Sequence, residues 1–97
     1  MAKGYWINVF HAVKDPKKVE AYRALAGPAM QAAGAKFLVR GDPAKAYEKG
    51  LMQRVVVIEF ESVQAAIAAH DSPGYQAALK ALGDGADRDL RIVEGLS

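Results

Sequence analysis

The run Arg54–Phe60 constrains the fold of this chain more than any other stretch. Its centre, Val55-Val56-Val57-Ile58, places apolar side chains on both faces of a β-strand, because successive residues of a strand point in opposite directions. A strand with this pattern is typically buried on both faces. The sequence therefore predicts a covering layer on each side of the sheet to which this strand belongs.

Six further elements are predicted around this strand. They are a strand at 4–13, a helix from Asp15-Pro16 to Gly34, a strand at 36–40, short helices at 63–70 and 75–82, and a strand at 89–94. Asp15, Ser62 and Ser72 are typical N-caps, and Pro16 and Pro73 suit the first helical turn. This order predicts an α+β, ferredoxin-like βαββαβ fold with a four-stranded antiparallel sheet and helices on one face. At 97 residues, we expect a single domain over 1–97.

A one-sided helical layer leaves the other face of this sheet uncovered. The first strand and the strand at 54–60 carry bulky apolar residues on both faces. Exposure of that second face would create an apolar patch larger than the few hundred Å² usual for a monomer. Two sheets packed face to face around a two-fold axis would remove it. The sequence therefore predicts a homodimer, as in a dimeric α/β barrel.

Composition excludes several classes of function. The chain has no cysteine, so disulfides, thiolate catalysis and cysteine-ligated metal centres are excluded. The net charge of +2 comes from scattered residues without a basic block, and Val55-Val56-Val57 lacks the stacking aromatics of RNA-binding relatives of this fold. We therefore expect no nucleic-acid partner. The N-terminus is not typical of a signal peptide and no apolar run reaches about 20 residues, so we expect no membrane and a cytoplasmic location.

Several motifs resemble the domain-of-unknown-function-1330 family. They are Gly4-Tyr5-Trp6, Lys36-Phe37-Leu38-Val39-Arg40-Gly41, Val56-Val57-Ile58-Glu59-Phe60 and Ser72-Pro73-Gly74-Tyr75-Gln76, and they span nearly the whole chain. The resemblance implies a ferredoxin-like fold of the dimeric α/β-barrel superfamily, and it implies no activity. Asp42 and Gly74 depart from the family pattern, where a glycine and a glutamate are common.

Glu59 and Arg40 are the first candidates for a functional site. Glu59 is a carboxylate within an apolar strand, which suits a catalytic base or a ligand anchor. Arg40 ends a strand beside Gly41 and could hold an oxyanion or a carboxylate bidentately. The alternative for both is structural, as an ion pair of Glu59 with Arg40 or Arg91, or as a solvated strand end.

His11 and His70 are the only imidazoles, and either could transfer a proton near neutral pH. His11 shares a strand face with Tyr5 and is the better candidate for a cleft. His70 lies at a helix C-terminus, where a structural role towards the helix dipole is the alternative. Two histidines without metal-ligand spacing predict no metal site, and no cofactor motif is present.

Ser72 and Tyr75 are candidate ligand contacts whose alternative role is architectural. Ser72 can cap the following helix, and Tyr75 can pack its ring while its hydroxyl meets a partner. No Gly-x-Ser-x-Gly elbow surrounds the serine, so a serine hydrolase is excluded.

Three functions from different classes follow from these residues. The first is the binding of a small anionic or aromatic molecule in a cleft between sheet and helices. The second is a cofactor-independent isomerase or oxygenase with Glu59 or His11 as base and Arg40 as oxyanion anchor, an expectation that depends on analogy of fold. The third is a purely structural or interaction module.

Overall fold

The computed structural model describes residues 2–96, which form four strands and three helices. In chain order the elements are β1 (Gly4–Val13), α1 (Pro16–Ala32), β2 (Lys36–Gly41), β3 (Val55–Phe60), α2 (Val63–Asp71), α3 (Pro73–Leu82) and β4 (Ala86–Glu94). The strands form one antiparallel sheet in the order β2-β3-β1-β4. This is the predicted ferredoxin-like fold. Within residues 2–96 no helix has the length and apolar character needed to cross a membrane.

Helix α1 has both of the predicted ends. The Asp15 carboxylate accepts hydrogen bonds from the backbone N–H groups of Lys17 and Lys18, and Pro16 occupies the first turn. At the other end Gly34 has a φ of 80°, and the amides of Gly34 and Ala35 donate to the carbonyls of Gln31 and Met30. This is the pairing of a Schellman motif. The helix continues through Pro28 rather than ending there.

The second crossover consists of two helices that meet at Ser72. Its hydroxyl donates to the Ala69 carbonyl at the end of α2 and accepts from the Tyr75 amide at the start of α3. Each helix is slightly longer than predicted, to Asp71 and from Pro73. Strand β4 also starts earlier, at Ala86 instead of Asp89, because Ala86 and Asp87 pair with Val13 and Ala12 of the long first strand.

The start of α2 lies directly against β1 at Gly4. A Cβ atom at Gly4 would be 2.4 Å from the Ser62 carbonyl oxygen, so only glycine permits this approach. The contact fixes where the second crossover leaves the sheet.

The two faces of the sheet differ in their cover. Trp6, Ile58 and Phe60 point towards the helices and belong to the main core, and Phe10 is buried on the same face. On the other face the central strands carry half-buried aliphatic side chains, and Val39 and Val93 of the edge strands are 49% and 48% exposed. The half-buried residues are Ile7, Val9, Val55 and Val57. One apolar face of the sheet is therefore covered by helices, and the other, which we call the open face, has no covering layer within residues 2–96.

Candidate functional site

A cavity of about 450 Å³ lies between the helix-facing side of the sheet and helix α1. Its walls come from β1, β2, β3, α1 and the start of α3. The lining side chains include Trp6, Asn8, Phe10, Tyr22, Arg23, Ala24, Phe37, Arg40, Arg54 and Tyr75. The volume is within the range of about 300 to 1,000 Å³ that is typical of small-molecule sites.

Aromatic rings form the inner wall of the cavity. Tyr75 is fully buried, and its ring meets Trp6 edge-on at 5.0 Å between centroids and Tyr22 edge-on at 5.9 Å. These are favourable geometries for aromatic pairs. The hydroxyls of Tyr22 and Tyr75 are 2.8 Å apart and hydrogen-bonded to each other. The rings are thus held in fixed positions by one another and by α1 and α3.

Arg88 of β4 packs behind this aromatic wall. Its guanidinium carbon lies 4.7 Å from the Tyr22 ring centroid and 5.7 Å from that of Phe10, which are cation–π distances. Burial opposes the charge on Arg88, but the hydroxyls of Tyr22 and Tyr75 outweigh it, and the pKa of Arg88 is raised. Burial and the Tyr22 hydroxyl raise the pKa of Tyr75 well above the usual value for a tyrosine. Arg88 is therefore charged and both groups keep their protons at neutral pH.

Asn8 places one amide among these apolar walls. The side chain is 3% exposed, so its amide is buried, as are the hydroxyls of Tyr22 and Tyr75 and the Nη1 atom of Arg88. The Oδ1 atom of Asn8 is buried and has no hydrogen-bond partner among the described residues. A buried acceptor without a donor costs free energy, so an amide here is unfavourable for folding alone.

Three arginines stand at the mouth of the cavity. Arg40 comes from the end of β2, Arg54 precedes β3, and Arg23 projects from α1. The Arg40 guanidinium lies over the Phe37 ring at 5.0 Å, so it forms the junction between the aromatic wall and the mouth. Burial and then the charges of Arg23 and Arg40 lower the pKa of Arg54, whereas Asp42 acts in the other direction. The mouth is therefore a positive region in which the arginines repel one another.

The structure brings two of the predicted site residues to this cavity, Arg40 and Tyr75. Glu59 points to the open face, since it alternates with Ile58 and Phe60 and pairs with Tyr5 of β1. Tyr5 lies on the same face. His11 is exposed at an irregularity in the β1–β4 pairing and does not line the cavity. Neither of the two predicted bases, Glu59 and His11, therefore shares this cavity with Arg40.

Glu59 has different neighbours from those predicted. It lines a smaller depression of about 270 Å³ with Lys3, Lys36 and Glu61. It forms no ion pair with Arg40 or Arg91, and Arg91 instead donates two hydrogen bonds of 3.0 Å to Asp89.

His70 and Ser72 lie behind the cavity rather than in it. The His70 ring packs 5.3 Å from the Tyr75 ring and 5.8 Å from that of Trp6, and its Nδ1 atom is 2.9 Å from the Asp71 carboxylate. Both hydrogen bonds of the Ser72 hydroxyl are to the backbone of α2 and α3. These two residues support Tyr75 from outside. Within residues 2–96 no three His, Asp or Glu side chains form a group that could hold a metal ion.

Four polar or charged residues of the site were not predicted from the sequence: Asn8, Arg23, Arg54 and Arg88. A signal existed for Asn8, because it alternates with Trp6 and Phe10 on the bulky face of β1. No local signal marks the arginines, because their convergence depends on how three separate elements pack.

Comparison with known proteins identifies the family and the fold. The family described as "Domain of unknown function (DUF1330)" matches residues 3–96. No curated protein matches the sequence. Among solved structures, a protein of unknown function from Rhodopseudomonas palustris is similar, with a TM-score of 0.75, 19% identity, and coverage of 99% of this chain and 84% of the other.

Two further solved structures have the same fold. SnoaB, a cofactor-independent oxygenase from Streptomyces nogalater, has a TM-score of 0.65 and 15% identity, with coverage of 96% of this chain and 92% of the other. A dimeric protein of unknown function and ferredoxin-like fold from Bacteroides fragilis has a TM-score of 0.62 and 12% identity, with coverage of 95% of both chains. At these identities the similarity shows a shared fold.

Proposed function

The chain belongs to the DUF1330 family, a domain of unknown function, and we propose that it binds a small aromatic molecule in the cavity between the sheet and α1. The observation that carries this proposal is the combination of a sizeable cavity, an aromatic inner wall and the buried Asn8 amide whose oxygen lacks a partner. Apolar walls with a few polar groups are typical of small-molecule sites.

The aromatic character of the wall favours a planar ligand. Trp6, Phe10 and Phe37 all line the cavity, and a ring between them could make offset or edge-on contacts. Asn8 would supply directional hydrogen bonding at the same depth. A ligand that donates a hydrogen bond to the Asn8 oxygen would remove the free-energy cost of burying this amide without a partner.

We also propose that the protein is a homodimer joined through the open face. The aliphatic residues of that face form a continuous apolar surface over the two central strands. The structurally similar protein from Bacteroides fragilis is described as dimeric. The cytoplasmic location predicted from the sequence stays a prediction.

A catalytic role for Glu59 or His11 with Arg40 is less well supported. Glu59 points to the opposite face from Arg40, and His11 lies outside the cavity. A base must be within hydrogen-bond reach of the proton that it removes, and neither residue reaches a ligand in this cavity. SnoaB is described as an oxygenase, and its similarity to this chain is one of fold.

The binding proposal can be tested through Trp6, the single tryptophan of the chain. Its indole N–H gives one signal in a ¹H–¹⁵N correlation spectrum, and that signal reports on the cavity wall. Titration with 2-naphthol should shift it saturably, whereas cyclohexanol, which has no aromatic ring, should not. A Trp6 signal that is unmoved by 2-naphthol up to its solubility would contradict the proposal and favour a purely structural module.

A pair of variants tests whether 2-naphthol binds in the cavity. Ala24 and Ala21 are both exposed alanines of α1, but only Ala24 lines the cavity. Ala24→Phe should weaken binding of 2-naphthol by obstructing the site, and Ala21→Phe should not. Both changes have the same cost in helix propensity, so the comparison removes that contribution. Equal affinities in the two variants would place the probe elsewhere.

A further inference from the structure

The three arginines at the cavity mouth are more than an aromatic ligand alone requires. Like charges gathered at one site cost free energy, and Arg54 in particular is half-buried beside Arg23 and Arg40. An anion bound between the arginines would remove this cost.

The carboxylates of the protein compensate these charges in part. Arg23 pairs with Glu20 at 3.6 Å, and Asp42 acts favourably on Arg54 without a direct contact. Within residues 2–96 neither Arg40 nor Arg54 forms an ion pair with a carboxylate. Three guanidinium charges and the two carboxylates of Glu20 and Asp42 leave a net charge of +1 at the mouth, which matches a monoanion.

We propose, on the basis of the binding function above, that the ligand is an aromatic carboxylate whose ring lies against Trp6 and Phe37 and whose carboxylate meets Arg40 and Arg54. The position of Arg40 over the Phe37 ring places a charged donor directly beside the aromatic wall. An anionic group attached to a ring in the cavity would therefore emerge at the guanidinium.

The planar geometry of the arginine favours a carboxylate. Two parallel N–H donors of a guanidinium match the two oxygens of a carboxylate, which gives bidentate hydrogen bonds. A phosphate monoester would bring close to two negative charges at neutral pH, which exceeds the single uncompensated charge. Arg23 is already engaged with Glu20 and would serve mainly to strengthen the positive field.

The test compares 2-naphthoate with 2-naphthamide, which has the same ring and shape but no charge. Dissociation constants are measured from the Trp6 indole signal at low salt. We expect 2-naphthoate to bind at least about tenfold more tightly, as a charge-assisted hydrogen bond contributes more than a neutral one. In the double variant Arg40→Gln/Arg54→Gln the two constants should become similar, mainly through weaker binding of the carboxylate.

A matched control separates local charge from net charge. Lys17→Gln/Lys80→Gln removes the same total charge from two exposed positions that do not line the cavity. This control should retain the preference for 2-naphthoate, although the loss of two positive charges weakens the long-range attraction of the anion and lowers its affinity slightly.

The outcomes distinguish this inference from the proposal on which it rests. Equal binding of 2-naphthoate and 2-naphthamide to the wild type would overturn the carboxylate preference and leave aromatic binding intact. Retention of the preference in Arg40→Gln/Arg54→Gln would also overturn it. If neither compound moves the Trp6 signal, the binding function itself fails, and with it the inference.

Discussion

The hydroxyls of Tyr22 and Tyr75 meet at 2.8 Å and join α1 to α3 behind the cavity wall. Both side chains are buried, and Tyr75 is fully so. The same two residues present their rings to the cavity. This hydrogen bond therefore links the packing of the two helices, which also share an apolar core, to the position of the inner wall of the candidate site.

This pair predicts strong non-additivity in stability. Tyr75→Phe leaves the Tyr22 hydroxyl buried without its partner, so the free energy of unfolding should fall by about 1 to 2 kcal/mol. Tyr22→Phe should behave similarly. The double variant should lose less than the sum of the two, because no hydroxyl is then left unpaired. Urea unfolding of the four proteins measures the coupling, and simple additivity would show that the hydrogen bond makes no net contribution.

The pKa of Tyr75 predicts how stability falls at alkaline pH. Burial raises this pKa in the folded protein, whereas an unfolded tyrosine ionises near pH 10. The contribution of the protonated Tyr75 side chain to folding stability is fully present below about pH 10. It is lost as the pH rises from there through the pKa of Tyr75 in the folded protein. The stability advantage of the wild type over Tyr75→Phe should therefore shrink above about pH 10. Urea midpoints measured from neutral pH upwards test this, and a difference that is constant or grows with pH would count against it.

Asn8 predicts a substitution that stabilises the protein. Its Oδ1 atom is buried without a partner, so Asn8→Leu should raise the free energy of unfolding by about 1 kcal/mol or more. Asn8→Asp, of almost the same shape, should lower it because a charge is then buried. Thermal and urea unfolding of both variants provide the measurement. If Asn8→Leu destabilises the protein as much as Asn8→Asp does, the amide is needed for folding rather than reserved for a ligand.

The open face predicts where the dimer can be broken. Val57 lies at the middle of that face, whereas Ile67 is an exposed apolar residue of α2 on the helical side. Val57→Glu should shift the protein towards a monomer, and Ile67→Glu should leave it dimeric, since only the first places a charge in the interface. Sedimentation equilibrium over a range of concentrations measures the oligomeric state of the wild type and of both variants. A wild type that is monomeric at every concentration would refute the proposed assembly.

Much of the fold could be predicted from the sequence because its signals are local. The strand Gly4–Val13 was predicted with the same limits as observed, and the caps at Asp15, Ser62 and Ser72 form as expected. Alternation, capping and turn residues act over a few positions and need no knowledge of packing. Strand β4 was predicted too short because its first residues follow β1 through pairing rather than through apolar character.

The candidate site was predicted only in part, and the reason is the two-sided character of β3. Val57 and Ile58 are equally apolar, so the sequence does not show which of them faces the helices. The structure places Ile58 with Trp6 in the core, which puts Glu59 on the open face and Arg40 on the helical face. Arg40 and Tyr75 both line the cavity, because both lie on the side of the sheet that faces the helices. The arginine mouth required the docking of α1, β2 and the segment before β3, which no local pattern contains.

The most direct measurement of the central claim is the position of an aromatic ligand relative to Trp6. In a saturated complex with 2-naphthol, intermolecular nuclear Overhauser effects should connect ring protons of the probe to the Trp6 indole and to Phe37, which both line the cavity. Protons of Tyr5 and His11 should show none, because these residues lie outside it. Contacts confined to His11, or to Tyr5 and other residues of the open face, would contradict the account.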